Sequence, residues 1–414
     1  MLDFELLQSA PERIRQHRMA AFDLHLIGPA GQPLTQAEVD IQLINHEFLF
    51  GCNAFGLHSV PEAALQQAYD ERFAALFNYA TLPFYWGSYE PEEDQPQIEK
   101  LASMADWCYR RGIKAKGHPL IWHEVFPSWA ESYSDIEVVQ RLGERVRSLP
   151  AEFRGFVQYW DVVNEATVAE KFNNPVGRWI ARQSPAAIVD QALRWARQAN
   201  PQATLIYNDF NISPAFEYLV VDLLARGAPL DALGIQSHMH QAIWPLKRAW
   251  AVCETYSYFG LPLHFTELTV LSGRLKPMEE TDWHARHTDW LTTPAGERAQ
   301  MEYGVALYTL LFSHPAVQAI TWWDFADYHS WQDAPAGLLR QDMSPKPFYE
   351  RLQALIKGEW ATHFHGVSDA QGIVKPTCTY GLHQIRAHLP SGEWLKGEFT
   401  AGRRETSLTV ALSR

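Results

Sequence analysis

The chain has 414 residues, with 48 acidic against 35 basic and a formal net charge of -13. That balance argues against a surface built to neutralise phosphates, so nucleic acid is not expected as a partner. No apolar run approaches the roughly 18 residues that a membrane span needs, so no membrane association is expected either.

The aromatic load is heavy, with 16 Trp, 16 Tyr and 21 Phe. Flat rings suit the faces of sugars, but they also fill cores, and core filling is the default reading for most of them. The first residues, M-L-D-F-E-L-L-Q-S-A-P-E-R-I-R-Q-H-R, are charged throughout and lack the apolar stretch of a secretory leader. The chain as it stands reads as cytoplasmic, or as secreted if a leader has been removed. Cys52, Cys108, Cys253 and Cys378 are far apart with no C-x-x-C spacing, which fits buried thiols better than zinc or disulfides.

Residues 15–44 contain alternating apolar and polar positions about a Gly/Pro turn, the pattern of a hairpin. Residues 363–414 repeat that style, with D-A-Q-G as a turn. Each segment is too short to make a stable sheet alone, so the two are expected to pair into a small β-sandwich packed on the rest. Without an obvious exposed aromatic ladder, it reads as a structural lid and not as a binding module.

Between them, over 45–358, eight β-rich runs alternate with helical stretches. In order they are E-F-L-F-G-C-N-A, F-N-Y-A-T-L-P-F, K-A-K-G-H-P-L-I-W-H, Q-Y-W-D-V-V-N-E, T-L-I-Y-N-D-F-N, L-G-I-Q-S-H-M-H, L-H-F-T-E-L and A-I-T-W-W-D-F-A. Strict alternation predicts a parallel sheet, and eight repeats predict a closed (β/α)8 barrel of the α/β class. Most of the runs turn polar at their C-terminal ends: His118, Trp122 and His123; Asn164 and Glu165; Asn208; Gln236 and His238; Glu267; Trp323 and Asp324. A parallel barrel carries its chemistry at that end, so these side chains are expected to share one pocket. One strand-end acid alone can be a helix cap; repetition around the ring argues against that.

Two carboxyl groups at strand ends, Glu165 and Glu267, are what glycosidic bond cleavage requires, one to protonate the departing oxygen and one to attack carbon or activate water. His118 and His123 invite a metal reading, but five residues apart on an extended run they would point to opposite sides, and no H-E-x-x-H cluster exists. Neither a metal nor a cofactor is expected.

The motifs go further. W-D-V-V-N-E-A and H-F-T-E-L resemble the acid/base and nucleophile motifs of the family 10 glycoside hydrolases, mostly endo-β-1,4-xylanases. G-H-P-L-I-W-H-E-V-F-P-S-W is similar to that family's third-strand motif, Y-N-D-F-N to its fifth, G-I-Q-S-H to its sixth and W-W-D-F-A-D-Y-H-S-W to its eighth, over Ile14 to about Leu352. The resemblance implies a carbohydrate substrate, with Glu165 as acid/base and Glu267 as nucleophile of a retaining mechanism. It also implies that Asn164 donates to a sugar hydroxyl, that Gln236 and His238 stand beside Glu267, and that His118 and His123 contact sugar. Trp122, Trp323 and Trp331 would form walls, with Trp322 pointing away into the core, and Asn208 and Tyr85 complete the substrate-binding set.

Three departures stand out. Where the family shows E-N-x-x-K-W, the chain reads T-L-P-F-Y-W, so Thr81, Leu82 and Tyr85 replace three polar groups that grip the glycone, while Trp86, Glu90 and Pro91 persist. Unmade hydrogen bonds in a buried site cost about 1–3 kcal/mol each. Thr269 stands where an Asp usually partners the histidine at His238, which predicts a weaker field on Glu267, and Val125 replaces a glutamine. The expectation is a hydrolase with altered glycone subsites, Leu82 and Tyr85 lining a shallow apolar pocket for short or unusual β-glycosides. The alternatives are an ordinary endo-β-1,4-xylanase and an inactive carbohydrate-binding barrel. Oligomeric state is not legible.

Overall fold

Eight apolar runs form strands in the computed structural model, which describes residues 2–287 and 289–414. They are β1 (Leu49–Asn53), β2 (Tyr79–Pro83), β3 (Lys114–His118), β4 (Val157–Asn164), β5 (Thr204–Asp209), β6 (Ala232–Ile235), β7 (Leu263–Val270) and β8 (Val317–Trp322). Each pairs in parallel with the next, and β8 returns to β1, so the sheet closes into a (β/α)8 barrel. Leu49, Tyr79 and Ala319 close the interior floor, while a much larger apolar core fills the space between strands and helices.

Local chemistry explains where the helices begin. Ser184, Ser213 and Thr293 each cap a helix whose first residue is proline, their side-chain oxygens accepting from the N–H of Ala187, Ala215 and Gly296. Such caps contribute about 1 kcal/mol each, and proline at the first helical position has no N–H to waste. In the helix Pro185–Ala199, Ile188, Val189, Ala192, Leu193 and Ala196 are buried, the three-and-four spacing of a helix lying on a sheet.

β3 and β6 stop well short of the ends of their runs. β3 stops at His118 because Pro119 has no N–H to continue the ladder. The sixth run breaks at Ser237, which is left-handed (φ 71°), and resumes as the short strand His238–Met239.

The terminal segments form a sandwich, though not the expected hairpin. The strands Asp23–Ile27 and Glu38–His46 lie in different sheets. The first pairs with Ile373–Val374 and Ser407–Ala411, the second with His363–Val367 and Gly381–His388. A lone hairpin would leave its apolar face open, whereas two facing sheets enclose Leu24, Val39, Ile41, Ile385, Leu395 and Val410. Nor is the sandwich a lid over the pocket. It joins the barrel at the N-terminal ends of the strands, where Asn45 Nδ2 donates to Gly112 O (3.1 Å), His46 Nε2 meets Ile356 O (2.7 Å) and Arg18 donates to the carbonyls of Phe312, His314 and Val317. It therefore covers the floor, opposite the polar strand ends.

Gly117, in β3, lies against the indole of Trp160, where an added Cβ would stand 2.2 Å from a ring carbon. That ring is fully buried and wedged against Phe84, so it has nowhere to go. Gly117→Ala should cost about 1–3 kcal/mol, read as a lower urea midpoint with an unchanged denaturant slope.

Candidate active site

At the end of β4 the chain turns abruptly at Glu165, a left-handed residue (φ 58°, ψ 39°). Its N–H donates to Asn208 O across the sheet (2.9 Å). A non-glycine residue in that region costs on the order of 1–2 kcal/mol, and here the turn lifts the carboxyl into the barrel mouth. Glu267, within β7, reaches the same mouth where the pairing of β7 with β8 shifts register between Phe265 and Leu268. The two residues are 7% and 5% exposed.

A chain of amides joins them. Asn208 donates both amide protons, to Asn164 Oδ1 (2.8 Å) and to Glu267 Oε1 (2.7 Å), while its own oxygen accepts from Thr266 Oγ1 (2.5 Å). Asn164 in turn donates to Glu165 Oε1 (3.0 Å). Gln236, expected beside Glu267, donates instead to Glu165 Oε1 (2.7 Å) and more weakly to Asn164 Oδ1 (3.3 Å). Gln236 meets Glu267 through its backbone alone, its carbonyl accepting from the Glu267 N–H (3.2 Å); the chain turns at the left-handed Ser237, and it is the His238 side chain that reaches the carboxyl, Nε2 to Oε2 at 3.1 Å. Trp122 Nε1 donates to Glu165 Oε2 (3.1 Å).

The two carboxyls are held in different charge states. Burial pushes Glu165 up to about 8, against the hydrogen bond from Gln236, and the neighbouring charges of Asp209, Glu267 and Glu124 act in the same upward sense. Burial also pushes Glu267 up, but the positive field of His118, the hydrogen bond and charge of His238, and Lys116 outweigh it, so it lies below the ordinary carboxylate range.

His118 is anchored from behind, its Nδ1 2.7 Å from Asp161 Oδ2, which also lies 2.7 Å from Lys116 Nζ, all fully buried. Its other nitrogen is 3.9 Å from Glu267 Oε1.

Thr269 takes the place beside His238 where an aspartate was expected. Its hydroxyl lies 2.7 Å from the carbonyl of Trp323 and 2.9 Å from His238 Nδ1. A hydroxyl has one proton, which goes to the carbonyl, so the oxygen accepts from Nδ1–H. His238 Nε2 then faces Glu267 Oε2, so a neutral hydroxyl in the place of the aspartate still orients the ring toward the carboxyl.

Around the carboxyls stand the rings. Trp323 packs edge-on against His118, His238 and Phe55, with centroids 5.7, 6.2 and 5.2 Å away. Tyr85 lies 5.3 Å from His118 and 5.6 Å from Trp122, and Trp331 lies 4.8 Å from His238. Trp322 is fully buried with its Nε1 on Ala336 O (2.9 Å), the opposite side from Trp323.

Thr81 and Leu82 do not behave as the sequence pattern suggested. Both are completely buried. Alternation puts Thr81 on the barrel-interior side with Tyr79, and Leu82 on the helix side, inside the main core. Only Tyr85 of the three reaches the mouth.

His118 and His123 do not diverge as an extended run would require, because β3 ends at Pro119. Both approach the carboxyls, His123 Nε2 being 3.9 Å from Glu165 Oε2. Burial lowers His123 to about 4, so it is neutral, and its ring packs on Phe172 at 3.9 Å between centroids. His123, Glu124 and Glu165 bring possible ligand atoms within 4.8 Å of one another. A carboxyl that keeps its proton to about pH 8 is a poor ligand, so this group fits acid chemistry better than a cation.

The structure adds residues that motif reading missed, Lys116 and Asp161 behind His118 and Thr266 behind Asn208, while Asp324, read as a strand-end polar group, accepts from Asn53 Nδ2 and the Trp331 N–H at 2.7 Å each. Lys116 and Asp161 had a signal, since opposite charges in the middle of adjacent apolar strands must find one another.

A (β/α)8 barrel presenting one protonated and one ionised carboxyl at the ends of β4 and β7 is built as a glycoside hydrolase is built. The chain matches the family described as "Glycosyl hydrolase family 10" over residues 44–355, and it belongs to that family. It is 26% identical to endo-1,4-beta-xylanase B of Thermotoga neapolitana over 347 residues, 75% of this chain and 95% of that protein. It is 24% identical over 393 residues to anti-sigma-I factor RsgI6 of Acetivibrio thermocellus, covering 93% of this chain and 47% of that protein. Xylanase 10B from Thermotoga petrophila RKU-1, solved in complex with xylobiose, shares the fold with a TM-score of 0.63 and 23% identity, covering 76% of this chain and 95% of that one. Among the described residues no helix is long and apolar enough to cross a membrane.

The raised carboxyl also affects stability. A group whose folded value lies above its unfolded value favours folding at low pH and loses that contribution as pH rises toward the folded value, here between about 4.5 and about 8. Glu165→Gln carries no such proton, so its stability relative to the parent should improve by on the order of 3 kcal/mol between pH 5 and pH 8 in urea titrations.

Proposed function

We propose that the chain is a retaining β-glycoside hydrolase in which Glu165 is the acid/base and Glu267 the nucleophile. The observation that carries this reading is the split between two amide-linked carboxyls, one raised to about 8 and one held low. Protonated Glu165 gives its proton to the departing glycosidic oxygen as Glu267 bonds to the anomeric carbon. In the second half, ionised Glu165 takes a proton from the water that attacks that carbon, releasing the sugar and regenerating the Glu267 carboxylate.

Asn164 shares one amide proton with Glu165 and offers the other to the sugar hydroxyl next to the anomeric carbon. Asn208 and His238 hold Glu267, Gln236 holds Glu165, and His118 supplies positive field from below. Trp122, Trp323, Trp331 and Tyr85 form the walls, and His123 backs the acid. The catalytic unit is 45–358, and 15–44 with 363–414 are its structural support.

The substrate proposed is a short or unusual β-glycoside, because Thr81, Leu82 and Tyr85 offer the glycone none of the polar groups of the family pattern. A second reading, an ordinary endo-β-1,4-xylanase, is favoured by the activities named for the relatives above. An inactive carbohydrate-binding barrel is disfavoured by the intact carboxyl pair. Aryl β-glycosides, xylo-oligosaccharides and polymeric xylan, compared by kcat/KM, discriminate the three.

Glu267→Ala should abolish turnover. Glu165→Ala should lose about 10²–10⁴-fold on substrates with poor leaving groups but far less on activated aryl glycosides, and equal losses on both would contradict the assigned roles.

The carboxyl groups should stand about 5–5.5 Å apart, and the product should keep its anomeric configuration, which NMR of the first product resolves. With Glu165 at about 8, kcat/KM should fall as pH rises through that value; on the acid side it should persist until Glu267 protonates, below the usual carboxylate range.

A further inference from the structure

The segment 271–293 links β7 to the helix Pro294–Ser313, and its described residues form neither strand nor helix. It does not hang free. Gln241, after β6, donates to the carbonyls of Pro277 (2.9 Å) and Glu280 (3.0 Å). Lys276 is 2% exposed and donates to Gln332 Oε1 (3.2 Å) after β8. Trp283 stacks on Trp331, with centroids 6.0 Å apart and planes 15° from parallel.

From there the segment reaches the far wall: His284 Nε2 lies 3.3 Å from Glu124 Oε2, in the loop after β3. In the closed ring β3 and β7 are four strands apart in either direction, so this contact spans the mouth. It lands beside the acid, since oxygens of Glu124 and Glu165 lie within 4.8 Å of each other. The exposed His284 pair contributes little energy; the indole stack and the buried Lys276 hold the segment.

Resting on the reading of Glu165 and Glu267 as the cleaving pair, we propose that residues 271–287 form a strap that makes the mouth a one-ended pocket. The site then takes β-linked glycosides by a chain end, and a polymer cannot run through it. An internal sugar unit needs the groove open on both sides of the scissile bond, and the strap bridges opposite walls next to the acid. The small exposure of both catalytic carboxyls agrees with a covered mouth.

The test uses end-labelled xylohexaose and cellohexaose, with 4-nitrophenyl β-xyloside and β-cellobioside as controls. The full chain is compared with a variant whose residues 278–289 are replaced by a short Gly/Ser linker, and with the double variant W283A/H284A, which leaves the backbone intact should the first fail to fold. In the parent, hexasaccharide cleavage should be confined to terminal bonds or be absent. Opening the strap should raise internal cleavage relative to aryl glycoside turnover by about tenfold or more.

An unchanged ratio in a folded variant that still turns over an aryl glycoside would overturn the strap while leaving the catalytic assignment standing. So would mid-chain cleavage by the parent. Failure of the parent on every substrate would instead overturn the proposed function.

Discussion

Everything at the mouth of this barrel depends on two buried carboxyl groups that are joined by amides yet held in different charge states. Asn208 touches one of them directly and the other through Asn164, so neither can move independently. Placing two negative charges so close in a site of low exposure would be costly. The structure avoids this by surrounding one with positive and donating groups, His118, His238 and Lys116, and leaving the other with apolar walls and acidic neighbours. The charge split follows from burial and from which strand each partner stands on.

The scaffold serves that split. Glu165 needs a left-handed turn to leave β4, and the hydrogen bond from its N–H to Asn208 O helps to hold the turn. The Lys116–Asp161–His118 series runs from the barrel interior to the mouth and fixes which nitrogen of His118 faces Glu267. At the opposite end the terminal strands cover the floor, so the sandwich has no access to the site. The loops after β2, β3, β7 and β8 meet at the mouth.

Thr269 illustrates how a neutral side chain can orient a histidine where a charged one was expected. The loss of a carboxylate partner for His238 suggests a weaker field, but a hydroxyl whose only proton goes to Trp323 O forces the neighbouring imidazole to donate. What the hydroxyl fixes is the orientation of the ring. The changes in β2 have a different character. Thr81 and Leu82 are internal to the barrel wall and the helix layer, so neither forms a surface at the mouth; of the three only Tyr85 reaches it.

The alternation of eight β-rich runs with helical ones, and their polar C-terminal ends, were enough to determine the barrel and to place Glu165 and Glu267 at its mouth, because strand alternation and barrel topology are encoded locally in the order of residues. The terminal strands were legible as strands but not in their partners, since which sheet a strand joins depends on faces that meet only after folding. Helix or strand patterns could not reveal that Pro119 ends β3 in time to turn both histidines toward the carboxyls. Nor could they reveal that Gln236 and His238 part company at Ser237, or that Leu82 faces the helices. The charge states of the two glutamates and the path of 276–284 across the mouth were decided by tertiary structure alone. Both arise from contacts between residues tens to hundreds of positions apart, whose distances and burial do not exist until the ring has closed.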